Sequence, residues 1–392
     1  MNFWHTIDKP IIGVAPMDGV SDASFRFITA KHGGPDVLFT EFVNVAAAYF
    51  APQTLIRDLT YTEIERPIVA QIYGNRPDDF YRVAHIVCEL GFDGLDINMG
   101  CPARKVAATG CGAALILDPA RARAIIRAAR EGIQDWCVGQ TLFAIKTPAE
   151  LIARIRTANQ RRTGAEAPAQ RRLIPLSVKT RLGYDRIVIE DWIQTLLAEK
   201  PAVISLHGRT LKQGYKGSAD WDAIARAAAM LKKTETLILG NGDLQTMKQV
   251  YCRVRESGVN GVLLGRSAQG NPWVFKDKDR VKQALREAVP LSANDTSISL
   301  EERFNIVAEH CSYFEQSGTM EKFVAMRKHL VRYCTGFRGA AELRSQMSRV
   351  NNAHEAVQSL KNHLATARCG EPNSHRSDAL PSCFPSSDLH LP

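Results

Sequence analysis

Gly94-Leu95-Asp96-Ile97-Asn98-Met99-Gly100-Cys101-Pro102 carries an apolar run into a glycine, a cysteine and a proline. Residues 94–98 read as a short buried strand. Gly100 is expected to let the backbone turn sharply, and Pro102 to stiffen the exit. A thiol held on such a turn faces a pocket rather than packing into a core. A cysteine taken alone is most often a small buried hydrophobe, so the reading depends on what the rest of the chain sets beside it.

Seven further runs share the texture of this strand, at residues 11–17, 37–43, 68–73, 176–181, 203–207, 237–240 and 261–265. Amphipathic stretches such as 77–90 and 119–130 lie between them, with apolar residues returning at helical spacing. Buried strands alternating with helices imply a parallel sheet. Eight of them within about 250 residues match an α/β fold of the (β/α)8 TIM-barrel type. A doubly wound sheet is the runner-up, but no strand-to-helix turn carries Gly-x-Gly-x-x-Gly.

The chain has 392 residues, 45% hydrophobic and 23% charged, the balance of an ordinary globular protein with room for a second, smaller domain. A formal charge of +9 favours a polyanionic partner such as nucleic acid, though a mixed solvated surface explains it about as often. Nine scattered cysteines without a Cys-x-x-Cys pair suggest neither a zinc ribbon nor a disulfide framework. That usage suits a reducing cytosol. No signal peptide or membrane span is legible, so a cytoplasmic monomer is expected, without membrane or obligate protein partner.

One connection is long and basic. Residues 135–172 hold Lys146, Arg154, Arg156, Arg161, Arg162, Arg171 and Arg172. A helix is expected over 148–158 with Thr147 as N-cap, followed by a linker at 163–168. A tolerated surface insertion is the favoured reading, and an added electrostatic contact to RNA the functional one. After Phe275 the texture changes. Residues 280–287 look helical, 290–298 read as a linker, and Ser299 opens a helical region without strands. The organisation expected is a barrel over 1–285, a small all-α domain over 299–365, and a disordered tail over 366–392.

In such a barrel, residues at the C-terminal strand ends face the active-site mouth. The sequence places Ala15-Pro16-Met17 there, then Gln71, Asn98 with Cys101, Lys179 with Arg181, and His207 with Arg209. Strands seven and eight end in Asn241-Gly242-Asp243 and Gly265-Arg266. Loops at those two ends commonly cradle a phosphate through glycine N–H groups, with Arg266 as the cation. A phosphate-bearing cofactor follows. Lys179 suits the N1/O2 edge of a flavin, whose reduced form is anionic, and Gln71 suits amide hydrogen bonds to a ring edge.

These motifs together resemble the tRNA-dihydrouridine synthases. Ala15-Pro16-Met17, Gln71-Ile72-Tyr73-Gly74, Asn98–Pro102, Val178–Gly183, His207–Thr210, Gly240–Asp243 and Gly265-Arg266 occur in family order. The helical segment with Arg327-Lys328-His329-Leu330 and Tyr333 is similar to that family's tRNA-binding domain. The resemblance implies an FMN enzyme, with NADPH as transient reductant, that reduces the C5–C6 bond of a uridine in tRNA. It implies Cys101 as the acid that protonates C5, which requires a neutral thiol. It places Asn98 on the uracil and His207 near flavin and base. Arg181, the cations Arg209, Arg327 and Lys328, and the aromatic Tyr215 are further candidate substrate contacts read from the residues themselves. Arg104, Lys105, Lys212, Lys216, Arg332, Arg338, Arg344 and Arg349 belong to the same group of candidate cations, for each of which singly a solvated face is the more frequent reading. A flavin barrel acting on a small pyrimidine or enone is the alternative. A non-catalytic RNA binder is a third reading, against which the intact Cys101, Lys179 and His207 argue.

Overall fold

Eight strands form where the apolar runs lie: β1 (Ile11–Val14), β2 (Leu38–Asn44), β3 (Ile68–Tyr73), β4 (Gly94–Met99), β5 (Leu176–Arg181), β6 (Val203–His207), β7 (Leu237–Asn241) and β8 (Gly261–Leu264). The structure, a computed structural model, describes residues 2–292, 298–317 and 322–369. The strands follow the order β1-β8-β7-β6-β5-β4-β3-β2, and each neighbouring pair is parallel. The remaining seam is bridged beside β2. Val14 N–H donates to Val37 O at 3.1 Å and Asp36 N–H to Ile12 O at 2.9 Å. The Asp36 carboxylate also accepts from Ile12 N–H at 2.8 Å. The sheet thus curls into the barrel expected of parallel strands that are apolar on both faces. Strands β1 and β8 end at Val14 and Leu264, short of the expected 17 and 265, so Ala15–Met17 and Gly265 leave the ladder as loop backbone.

Helices cover the outside. Pro77–Glu89 and Pro119–Cys137 each begin with proline in the first turn, where its missing N–H costs nothing. The first buries Phe80, Val83, Ala84 and Val87, and the second Ala122, Ile125, Ile126, Ala129 and Ile133. In the basic connection the helix is Ala149–Thr163, with Pro148 rather than Thr147 at the N-cap position and no side-chain cap bond. The extended backbone of Pro148 moves the start one residue on. Leu151 and Ile155 face the core. Asn159 Nδ2 donates to Glu89 O at 2.8 Å, and Arg162 donates to Leu90 O at 2.8 Å. The Arg162 guanidinium lies 4.3 Å from the Tyr61 ring centroid. Arg171 donates to Trp136 O at 2.5 Å, and Arg172 pairs with Asp93 at 2.6 Å. Much of the connection's charge is therefore bound to the flank of the barrel.

The C-terminal helical domain comprises Leu300–Gln316, Arg327–Tyr333, Ala340–Met347 and Ala353–Cys369. Ser299 caps the first helix, accepting from Glu302 N–H at 3.0 Å. The last helix runs beyond the expected boundary at 365, and residues 370–392, like 293–297 of the expected linker, lie outside the described residues. Phe304, Val307, Phe314, Met326, Leu330, Leu343 and Met347 form a core that takes in Ile28 and Trp273 from the barrel side. A polar seam runs beside it. Asp22 Oδ2 meets His329 Nε2 at 2.7 Å and Lys328 Nζ at 2.9 Å. His310 bridges Ser24 Oγ and Tyr333 Oη, each at 3.1 Å. Asp22 also caps the helix Ala23–Gly33, so the loop after β1 and the helical domain share one anchor. Among the described residues no helix is long and apolar enough to cross a membrane.

Candidate functional site

A cavity of about 940 Å³ opens at the C-terminal ends of the strands. Ala15, Pro16, Met17, Asn98, Cys101, Lys179, Arg181, His207, Tyr215, Asn241, Gly242, Asp243, Gly265 and Arg266 all line it. Gln71, Arg209, Arg327 and Lys328 do not. Sequence reasoning passed over Asp18, Phe42 and Gln269, which also line it. Asp18 and Gln269 stand one residue after Met17 and three after Arg266, so continuing each strand-end motif into its loop would have found them. A second cavity of about 740 Å³, at the opposite end of the barrel around Arg130, Lys200 and Lys233, contains none of the strand-end polar groups.

The cysteine turn is built by a side chain. Asn98 Oδ1 accepts from Gly100 N–H at 3.0 Å and from Cys101 N–H at 2.8 Å. Gly100 packs closely on the next strand, where a Cβ would stand 3.3 Å from the Thr180 backbone. Asn98 Nδ2 donates to Gln71 Oε1 at 3.0 Å, and Gln71 Nε2 donates to Asp96 Oδ2 at 2.7 Å. Ser177 Oγ donates to Asp96 Oδ1 at 2.6 Å. The Gln71 amide is thus engaged beneath the cavity and fixes Asn98. Burial raises the Asp96 carboxyl to about 6, against the pull of Ser177 and Gln71. Burial likewise pushes the Cys101 thiol up, with Asp18 adding to the effect and Ala103 N–H, Arg181 and Lys179 opposing it. Cys101 therefore stands in the cavity wall as a neutral thiol at pH 7.

On the adjoining strand the wall is cationic. Lys179 and Arg181 alternate on β5, and Arg181 is in register with His207, which is in register with Asn241. Burial, then Arg181, lowers Lys179 to about 8. Burial, then Arg181 and Lys179, lowers His207 to about 2, so its ring is neutral. Arg181 donates to Gly100 O at 2.6 Å and to Thr210 O at 3.2 Å, tying the cysteine turn to the loop after β6. Arg209 is buried and holds that loop through Gly217 O at 2.5 Å and Asp243 Oδ2 at 2.7 Å. Asp243 Oδ1 accepts from Arg266 at 2.8 Å, so this carboxylate aims two arginines. The Arg266 guanidinium lies 5.6 Å from the Tyr215 ring centroid, at the exposed tip of the loop. Away from the cavity, Arg327 donates to Val350 O at 2.8 Å and Asn351 Oδ1 at 2.8 Å, within the helical domain.

The donor set suits an anionic ligand with a flat apolar portion. Lys179 and Arg266 supply cations, and Ala15, Pro16, Met17 and Phe42 supply apolar wall. Ser267 Oγ, beside Arg266, is buried without a hydrogen-bond partner among the described residues. No cluster of three or more His, Cys, Asp or Glu side chains that could hold a metal occurs among those residues.

The sequence matches the model of a family described as dihydrouridine synthase (Dus) over residues 13–138 and 148–368. A protein of Bacillus subtilis (strain 168) named "Probable tRNA-dihydrouridine synthase 2" is 31% identical over 360 residues, 90% of this chain and 94% of that one. A "Probable tRNA-dihydrouridine synthase" of Staphylococcus epidermidis (strain RP62A) is 30% identical over 363 residues, 91% of this chain and 94% of that one. The chain belongs to the dihydrouridine synthase family. The family match leaves out residues 139–147, which lie in the first half of the basic connection. Among solved structures, the ligand-free DHODH of Eimeria tenella is 18% identical, with a TM-score of 0.40 over 62% of this chain and 67% of that one.

Proposed function

We propose that this member of the dihydrouridine synthase family is an oxidoreductase that reduces the C5–C6 bond of uridines in tRNA. Its cofactor is FMN and its transient reductant NADPH. The observation that carries the reading is one cavity whose lining holds the neutral thiol of Cys101 together with the cations Lys179 and Arg266. FMN, when bound, would supply hydride chemistry at C6 of the pyrimidine. Lys179 would offset negative charge on the ring system, and Asn241, Gly242, Gly265 and Arg266 would hold the phosphate end. Met17 and the neighbouring Ala15 and Pro16 form the apolar face.

Cys101 Sγ gives its proton to C5 as negative charge develops there, and the thiolate regains a proton from water. A raised thiol pKa keeps that proton in place until it is needed. Asn98 sets the height of the thiol through its turn, with Gln71 holding Asn98. Arg181 secures the same turn from the other side. His207, neutral and beside Arg209, is a polar wall for the base. Tyr215 at the loop tip offers a ring on which a base stacks.

A uridine in folded tRNA must be drawn out of its stack, at a cost of a few kcal/mol that phosphate contacts offset. The helical domain, anchored to the loop after β1, supplies part of that surface. In this reading residues 1–285 form the catalytic barrel and 299–365 the RNA-binding domain of a cytoplasmic monomer.

The test is nucleoside mass spectrometry on tRNA incubated with the flavin-loaded protein and NADPH. A gain of two mass units on a uridine supports the reaction, and fragment mapping then gives the position. Oxidation of NADPH with no gain on any tRNA would replace this reading with a small-molecule reductase.

A further inference from the structure

We infer that Arg332 binds a backbone phosphate beside the uridine that enters the cavity, an inference that rests on the RNA substrate proposed above. Among the described residues Arg332 is the one lining residue that comes from the helical domain. Three other cations near the mouth are already engaged, Arg209 and Arg266 with Asp243, and Lys328 with Asp22. Arg332 is exposed, and its guanidinium makes no hydrogen bond or ion pair among the described residues.

An unpartnered surface arginine is ordinarily a solvated one. Here the backbone beneath it is held from two sides. Gly270, at φ +65°, runs flush against it, and a Cβ on Gly270 would stand 2.5 Å from Arg332 O and 2.7 Å from Tyr333 N. Tyr333, the next residue, is buried and hydrogen-bonded to His310, which in turn meets Ser24 of the barrel side. The backbone that carries the cation is therefore packed into the seam, at the rim of the cavity. A guanidinium so placed suits bidentate binding of a phosphate oxygen pair. With Arg266 held at the strand-end glycines by Asp243, the Arg332 side of the mouth is left for a ligand that also reaches the helical domain, as a polynucleotide does.

The experiment compares wild type, Arg332→Gln and Arg332→Lys as flavin-loaded full-length proteins. Lys233→Gln, which removes the same charge at the far end of the barrel, is the control. Arg332→Gln is expected to raise KM for tRNA about tenfold with kcat within about twofold, the effect of losing a charged hydrogen-bonding contact. The slope of log Kd for tRNA against log salt should shrink by about 0.7–0.9, one phosphate contact. Arg332→Lys should recover the slope but only part of the affinity, because it keeps the charge and loses the fork. Flavin content, and flavin reduction by NADPH without RNA, should match wild type.

An unchanged slope and KM in Arg332→Gln would overturn the assignment. So would a raised KM for NADPH with tRNA binding intact, which would make the 2′-phosphate of the reductant the ligand. Loss of flavin would overturn it too. Because the slope is read from binding, a wild type that binds tRNA without forming dihydrouridine would sink the proposed reaction and leave the Arg332 result standing.

Discussion

Asn98 Oδ1 accepts the Cys101 backbone N–H at 2.8 Å, and the same oxygen accepts Gly100 N–H at 3.0 Å, so the turn that presents the thiol is closed by a side chain. Both N–H groups are buried, and each would lose its partner if the amide were removed. Asn98→Ala should cost about 2 kcal/mol of stability at about 1 kcal/mol per bond. Displacing the thiol should lower kcat for uridine reduction by about 10–100-fold. Asn98→Asp keeps the accepting oxygen and should fall between the two. Thermal unfolding and steady-state turnover check this, and an Asn98→Ala variant with wild-type kcat would remove Asn98 from the positioning of Cys101.

The protonation of Cys101 gives a second expectation. Burial raises its pKa, Asp18 raises it further, and Arg181 and Lys179 pull it back. Alkylation by iodoacetamide, followed peptide by peptide, should be slower at pH 7 than for glutathione in the same tube. It should rise only above about pH 9, where a thiol of raised pKa ionises. Asp18→Asn should speed the reaction at pH 8, and Lys179→Met should slow it. A Cys101 that alkylates faster than glutathione at pH 7 would be a thiolate and unfit to donate a proton.

Asp96 predicts a pH-dependent stability. Burial raises its carboxyl from the ordinary 3.8 to about 6, so the folded state holds this proton more tightly than the unfolded chain does. Its contribution to stability is complete below about pH 4 and is lost as pH rises to about 6. A two-unit shift corresponds to about 3 kcal/mol. In urea unfolding, Asp96→Asn should therefore gain on wild type by up to about 3 kcal/mol between pH 4 and pH 7. A gap that stays constant across that interval would mean Asp96 is ionised throughout.

The barrel was legible because its strands are apolar on both faces and end in polar residues, a local pattern that survives without knowledge of neighbours. The mouth-lining set from Ala15 to Arg266 followed from the same rule. Side-chain direction did not. Gln71 lies within β3, two residues before its end, and its amide is held by Asp96, 25 residues away on the next strand. Arg209 is drawn into the loop by Asp243, and Arg327 into the helical domain by the carbonyl of Val350. Partners so distant in sequence leave no trace in any short window. Thr147 failed as a cap for a more local reason, since the extended Pro148 after it already ends the loop.

The basic connection supplies the last expectation. Arg162 has a mostly buried side chain that donates to Leu90 O at 2.8 Å and Asn159 Oδ1 at 3.1 Å, pairs with Glu63, and stacks over Tyr61. Removing it leaves a buried carbonyl without its charged donor and uncovers an aromatic face. Arg162→Ala should cost about 2–3 kcal/mol, the range for a hydrogen bond from a charged group plus a cation–π contact. If the connection is a strap rather than an RNA contact, KM for tRNA and the salt slope of binding should match wild type below the unfolding transition. A reduced salt slope with unchanged stability would reverse the assignment and make this flank of the barrel part of the RNA surface.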